Sequence, residues 1–136
     1  MGNIDNILIN KSETVRRCLR RIHEEYQGDP KNLDHITKQD SIVLNLQRAC
    51  EACIDLAMHI VSERRLGVPQ HSRDAFELLQ RHGIINQEIA DRLKAMVGFR
   101  NIAVHDYQSL RIEILQSILD KRLHDFEEFL KAVAKR

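Results

Sequence analysis

A guanidinium, an imidazole and a phenol stand close together in the chain at Arg100, His105 and Tyr107. Arginine stays charged at any working pH, and its planar fork fits phosphate oxygens. Histidine is the side chain whose ordinary pKa lets it both take and return a proton near neutrality. RNA carries its own nucleophile, the 2′-hydroxyl beside each scissile phosphate. A base for that hydroxyl, an acid for the leaving oxygen and a cation over the phosphorane would suffice for cleavage. Nothing in the rest of the chain reads as a paired carboxylate site or as a His/Cys metal set, so neither metal nor cofactor is expected.

Arg100 is out of place on its own helix. The segment from Asn86 carries Ile89, Leu93, Met96 and Val97 at helical spacing, and the next position of that stripe is the arginine. A guanidinium on an apolar stripe is costly unless it is paired or faces a cleft or a partner. Tyr107, two turns on, would share its face if the helix continued. His105 would lie about 140° around a straight helix. Arg100 and His105 would therefore converge only if the helix ends near Val104 or if two subunits pool their motifs. The plain alternative is a salt bridge to a neighbouring helix plus a C-terminal cap, since the helix dipole favours Arg and His in a last turn.

Five helices can be read around this segment. The first follows Ile4, Leu8, Val15, Leu19, Ile22 and Tyr26, interrupted by Lys11, and stops at Gly28-Asp29-Pro30. A polar, loop-like stretch to Gln39 follows. Ile42, Leu46, Ala49, Cys53, Leu56 and Ile60 make the second helix, with Asp40 or Ser41 as its cap and Gly67-Val68-Pro69 as its end. A short third helix begins after Ser72, has Asp74 in its first turn, carries Phe76, Leu78 and Leu79, and stops at Gly83. The fourth is capped by Asn86. The fifth runs from about Ser109, with Leu115, Leu119, Leu123, Phe126, Leu130 and Val133 on one face. No strand-like alternation, repeat or linker interrupts them. The expectation is an all-α fold, a four-helix bundle with one additional short helix, as a single domain over 1–136.

Composition fits that expectation. The 136 residues are enough to bury a core without metal or disulfide staples, and aromatic residues, at 4%, are too few to favour sheets. A net charge of +1 gives no general nucleic-acid signal, so RNA contact would need a local basic patch. The cysteines, Cys18, Cys50 and Cys53, are odd in number and suit a reducing cytoplasm. The Met1–Asp5 start does not read as a signal peptide, and no apolar run reaches membrane-spanning length.

Arg100, four residues, His105, one residue and Tyr107 resemble the Arg-x4-His-x-Tyr signature of HEPN proteins of the HepT type. Asn101 matches the polar residue that usually follows the arginine, and the resemblance extends over nearly the whole chain, including Met96-Val97-Gly98-Phe99 and Gln47-Arg48-Ala49. It implies an up-and-down HEPN bundle and a metal-independent endoribonuclease toxin. It further implies a homodimer whose two motifs face one another, and a minimal nucleotidyltransferase (MNT-type) antitoxin that transfers AMP to the motif tyrosine. On this chain Arg100 would hold the scissile phosphate and His105 would shuttle the proton. Tyr107 would be the modified hydroxyl, and Asn101 and Asp106 would orient the phosphate or the imidazole. The alternative is a non-catalytic subunit that presents nucleotide or substrate to a nucleotidyltransferase.

Other charged residues carry weaker signals. Arg92, Lys94 and Arg111 are the expected RNA contacts, with binding that weakens as salt rises. Arg16, Arg17, Arg20 and Arg21 read as a solvated face balanced by Glu13, Glu24 and Glu25, although RNA or an antitoxin could use them. Cys50 and Cys53 have the spacing of a redox pair but lie mid-helix, which favours a structural role. Glu51 and Asp55, one turn apart, either repel each other at the surface or meet Arg100 or the basic first helix.

Overall fold

The computed structural model describes residues 2–135, and side chains from Asp5 onward. Six α-helices are present among them: α1 (Gly2–Tyr26), α2 (Ile36–Arg64), α3 (Ser72–Arg81), α4 (Gln87–His105), α5 (Ile112–Lys121) and α6 (His124–Lys135). Strands are absent from the described residues. Short 3-10 turns cover Pro30–Asp34 and Tyr107–Ser109. Helices α1, α2, α4 and the α5–α6 pair make the four-helix bundle, with α3 as the short extra helix. None of the described helices is long and apolar enough to cross a membrane.

The centre of the bundle is α2, which packs against α1, α3, α4 and α6. Ile42, Leu46, Ala49, Cys53, Leu56 and Ile60 are all buried, as a stripe alternating steps of four and three demands. Val15, Leu19, Ile22 and Tyr26 of α1 meet them, and Leu8 is half-buried at the edge; the side chain of Ile4, the first expected member, lies outside the described residues. Lys11 interrupts the stripe because it pairs with Asp55 of α2 at 3.1 Å. The Phe76 ring of α3 meets Phe129 of α6 edge-on at 5.5 Å, a preferred aromatic geometry.

Helix ends follow from local chemistry. Asn86 Oδ1 accepts from the Ile89 N–H at 2.8 Å and caps α4. Past α3, Gly83 takes φ 74°, a left-handed conformation suited to glycine, while the Ile84 N–H returns to the Leu79 carbonyl at 2.9 Å.

The expectations for both ends of the second helix need correction. The stretch before α2 is not a loop to Gln39, and neither Asp40 nor Ser41 caps the helix. Pro30–Asp34 is a 3-10 turn that buries Leu33, and α2 begins at Ile36 behind His35. Gln39 Nε2 donates to the Leu33 carbonyl at 3.0 Å and ties the early helix to that turn. At its far end α2 stops at Arg64, with Arg65 left-handed at φ 56°, before the expected glycine and proline.

The expected fifth helix is two. Leu115, Leu119, Leu123, Phe126, Leu130 and Val133 are buried as predicted, but α5 and α6 part at Arg122 and Leu123. After the break Asp125 turns inward, 2% exposed, and accepts from Arg92 Nη1 of α4 at 3.0 Å. Elsewhere the Tyr26 hydroxyl donates to Asp120 Oδ1 at 2.7 Å and fastens the end of α1 to α5.

Candidate active site

Arg100 lies in the last two turns of α4, its side chain 20% exposed between α2 and α3. Nη2 donates to Ser72 Oγ, at the start of α3, over 3.3 Å. Nη1 is 3.9 Å from Glu51 Oε2 of α2. Nε is buried and has no hydrogen-bond partner among the described residues. A guanidinium offers five N–H donors. Here a long hydrogen bond and a loose ion pair leave most of that capacity unused, which suits a cation reserved for an anionic substrate.

The plain alternative of a salt bridge is therefore partly realised, since Glu51 does meet Arg100. Asp55 answers Lys11 instead, so the two carboxylates face different cations. The meeting of Glu51 with Arg100 is one of the alternatives the sequence leaves open, whereas Ser72 is a partner that spacing does not assign. Ser72 is readable in the sequence only as a helix start.

His105 is the final residue of α4, exposed, with no hydrogen bond or ion pair among the described residues. Because α4 stays helical through His105, Arg100 and His105 diverge around its axis by about 140°. One chain therefore does not bring them together by ending the helix early. Asp106 terminates α4, and its Oδ2 accepts from Ser109 Oγ at 2.6 Å, which secures the following turn. Asn101 is exposed beside Arg100.

Tyr107 opens the 3-10 turn after α4, 41% exposed, and its hydroxyl donates to Asp40 Oδ1 of α2 at 2.7 Å. Partial burial, followed by the bond to Asp40 and that carboxylate's charge, pushes the phenol up to about 12. Asp40 therefore acts not as a helix cap but as the partner of Tyr107. Arg100 reaches α2 at Glu51 and Tyr107 reaches it at Asp40, positions separated along the helix by about 16 Å of rise. The phenol and the guanidinium therefore occupy separate stations within one chain.

The expected RNA contacts differ in availability. Arg92 is committed to buried Asp125 and to Glu88, at 3.0 and 2.9 Å. Lys94 pairs with Glu77 of α3. Arg111, 70% exposed and 3.8 Å from Glu113, is the freest of the three. On α1, Arg21 bonds Glu24 and Glu25 as the solvated-face reading expects, whereas Arg16 bonds Glu127 of α6 rather than Glu13.

Between α4 and α5 runs an apolar groove of about 580 Å³, lined by Met96, Phe99, Ile102, Leu110, Ile114 and Ile118. Ile102, Val104, Ile112 and Ile114 are exposed around it and beside the motif. Among the described residues no group of three or more His, Cys, Asp or Glu side chains is placed to hold a metal ion.

The chain as a whole is similar to known proteins. The chain is 48% identical over 130 residues to the mRNA nuclease HepT of Shewanella oneidensis, covering 96% of this chain and 98% of that protein. It is 29% identical over 93 residues to the tRNA nuclease HepT of Aphanizomenon flos-aquae, covering 57% and 63% of the two. Among solved structures it superimposes on the tri-AMPylated HEPN toxin of Shewanella oneidensis in complex with MNT antitoxin. That match has a TM-score of 0.90 and 49% identity, and covers 96% of this chain and 98% of that one. The family model for ribonuclease HepT-like proteins spans residues 15–133, from the core of α1 through α6, and the chain belongs to that family.

Proposed function

We propose that this chain is the toxin of a toxin–antitoxin pair, a metal-independent endoribonuclease that uses Arg100 and His105. In this reading, Tyr107 is the residue on which an MNT-type nucleotidyltransferase antitoxin places AMP. The observation that carries the reading is the under-bonded guanidinium of Arg100 on the core-facing side of α4, followed by His105 at the open end of the same helix. The names of the relatives, nuclease toxins and one bearing AMP beside an MNT antitoxin, support it.

In this mechanism a phosphate of single-stranded RNA displaces Glu51 from Arg100, and the guanidinium holds the charge that builds on the phosphorane. His105 removes the proton from the 2′-hydroxyl, which attacks the adjacent phosphorus, and the resulting imidazolium returns a proton to the departing 5′-oxygen. The products are a cyclic phosphate and a 5′-hydroxyl. A second copy of the chain reconciles this with the divergence of Arg100 and His105, because a two-fold axis can set the arginine of one protomer beside the histidine of the other. The exposed apolar residues around the α4–α5 groove are the surface such a copy would cover.

The test is cleavage of total RNA by the purified protein in EDTA, with Arg100→Ala and His105→Ala alongside. Cutting by the wild type alone, with cyclic-phosphate ends, is expected. Failure of wild-type protein with an unmodified Tyr107 to cut would favour the alternative of a nucleotide- or substrate-presenting subunit.

A further inference from the structure

Among the described residues the hydrogen-bond partner of the Tyr107 hydroxyl is Asp40 of α2, 67 residues earlier in the chain. The bond is short, 2.7 Å, and its direction is set by chemistry: the phenol donates and the carboxylate accepts. Among the described residues Asp40 is also the charged group that shifts the phenol. Both residues are exposed, so a nucleotide carried by another protein can reach the hydroxyl without unfolding of either helix.

We infer that Asp40 is the general base for the modification of Tyr107, and so a catalytic residue that the toxin itself supplies to the reaction that silences it. The inference rests on the reading of Tyr107 as AMP acceptor. In the step, the Tyr107 O–H bond breaks and its proton passes to Asp40 Oδ1. The freed electron pair forms a bond to the α-phosphorus of ATP bound by the nucleotidyltransferase. The bond from that phosphorus to the bridging oxygen breaks, and its pair departs with pyrophosphate. Asp40, exposed, then returns the proton to water.

Two physical arguments favour a base at this position. With the phenol held up at about 12, spontaneous phenolate is scarce at neutral pH, so the proton must leave as the new bond forms. The product also cannot remain where the substrate was. An aryl phosphodiester has no hydrogen to donate and carries a negative charge, so it is repelled by the carboxylate that had anchored the phenol. Modification thereby unlatches the side chain from α2.

The experiment follows AMP addition by intact mass, using full-length toxin, its partner nucleotidyltransferase and ATP, for wild type, Asp40→Asn, Asp40→Glu and Tyr107→Phe. Asparagine keeps size and an acceptor oxygen but cannot take the proton. Asp40→Asn is expected to slow addition by about 10²-fold near neutrality. Its rate relative to wild type should climb with pH, as hydroxide and phenolate replace the missing base, and Asp40→Glu should recover much of the loss. Circular dichroism establishes that each variant is folded. Wild-type-like or faster addition to Asp40→Asn, with the same pH slope, would overturn the role of Asp40 while leaving Tyr107 as acceptor. An unmodified wild type, or modification persisting in Tyr107→Phe, would overturn both.

Discussion

Glu51 of α2 stands 3.9 Å from the guanidinium of Arg100, close enough to neutralise it in part but too far for a hydrogen bond. Such a pair holds the cation without consuming its donors. It belongs to the class of partly exposed ion pairs whose net contribution to stability is small.

If Arg100 exchanges Glu51 for a phosphate, its removal must leave one fewer phosphate neutralised when RNA binds. In a His105→Ala background, which prevents cutting, Arg100→Ala should flatten the dependence of log K on log salt by about 0.7, the value for one single-stranded phosphate. Binding measured at several salt concentrations checks this, and an unchanged slope would detach Arg100 from the phosphate.

Arg92 and Arg111 should separate cleanly. Arg92→Ala leaves Asp125, 2% exposed, without its guanidinium, and the protein should melt at markedly lower temperature. Adding Asp125→Asn to Arg92→Ala should return part of the loss, because the uncompensated charge is gone. Arg111→Ala, at an exposed position, should leave the melting temperature unchanged and weaken RNA binding. Thermal denaturation and RNA titration of the same variants decide between the two roles.

The alkaline limb of stability should be shared by the tyrosines and the buried thiols, and the tyrosine part can be read separately. Tyr26 is pushed up to about 12 by burial and then by its bond to Asp120, and Tyr107 to about 12 by burial and Asp40. Folded-state values above the ordinary 10 favour the neutral phenol in the native protein. The resulting stabilisation is complete below pH 10 and is lost as pH rises toward 12. With two tyrosines and no tryptophan, ultraviolet titration should show essentially no phenolate below pH 10 in the native protein. In denaturant both should titrate near their ordinary value.

The three cysteines should behave as core residues. Burial raises the Cys18 thiol, lifts Cys50 to about 12 and raises Cys53 well above its ordinary value. The charge of Arg100 opposes that rise at Cys50, which stays buried. A thiol-specific disulfide reagent at pH 8 should therefore find no reactive cysteine in the native protein and all three in denaturant.

What the chain makes legible is what is local. The α2 stripe, the Asn86 cap and the Gly83 stop each depend on neighbours a few residues away, and each appears in the structure. Leu33 escapes such a reading because it is one apolar residue in a polar stretch, and only docking against the rest of the core gives it a role. The α5–α6 break escapes it because Leu119, Leu123 and Phe126 keep the spacing of an uninterrupted helix. What marks the break is the pairing of Asp125 with Arg92, 33 residues earlier. The site divides the same way. Arg100, His105 and Tyr107 are legible as a motif, whereas Asp40, Glu51 and Ser72 come to it across the bundle, from α2 and the start of α3.

The Tyr26–Asp120 contact gives the molecule a built-in decoy. Its hydroxyl meets a carboxylate at 2.7 Å, the same distance as at Tyr107, yet Tyr26 is 3% exposed against 41%. Two phenols with the same partner chemistry thus differ in accessibility, so under the proposed function a transferase would need no sequence code to choose between them. Selectivity would be a property of the folded state, and partial unfolding at the end of α1 would erase it.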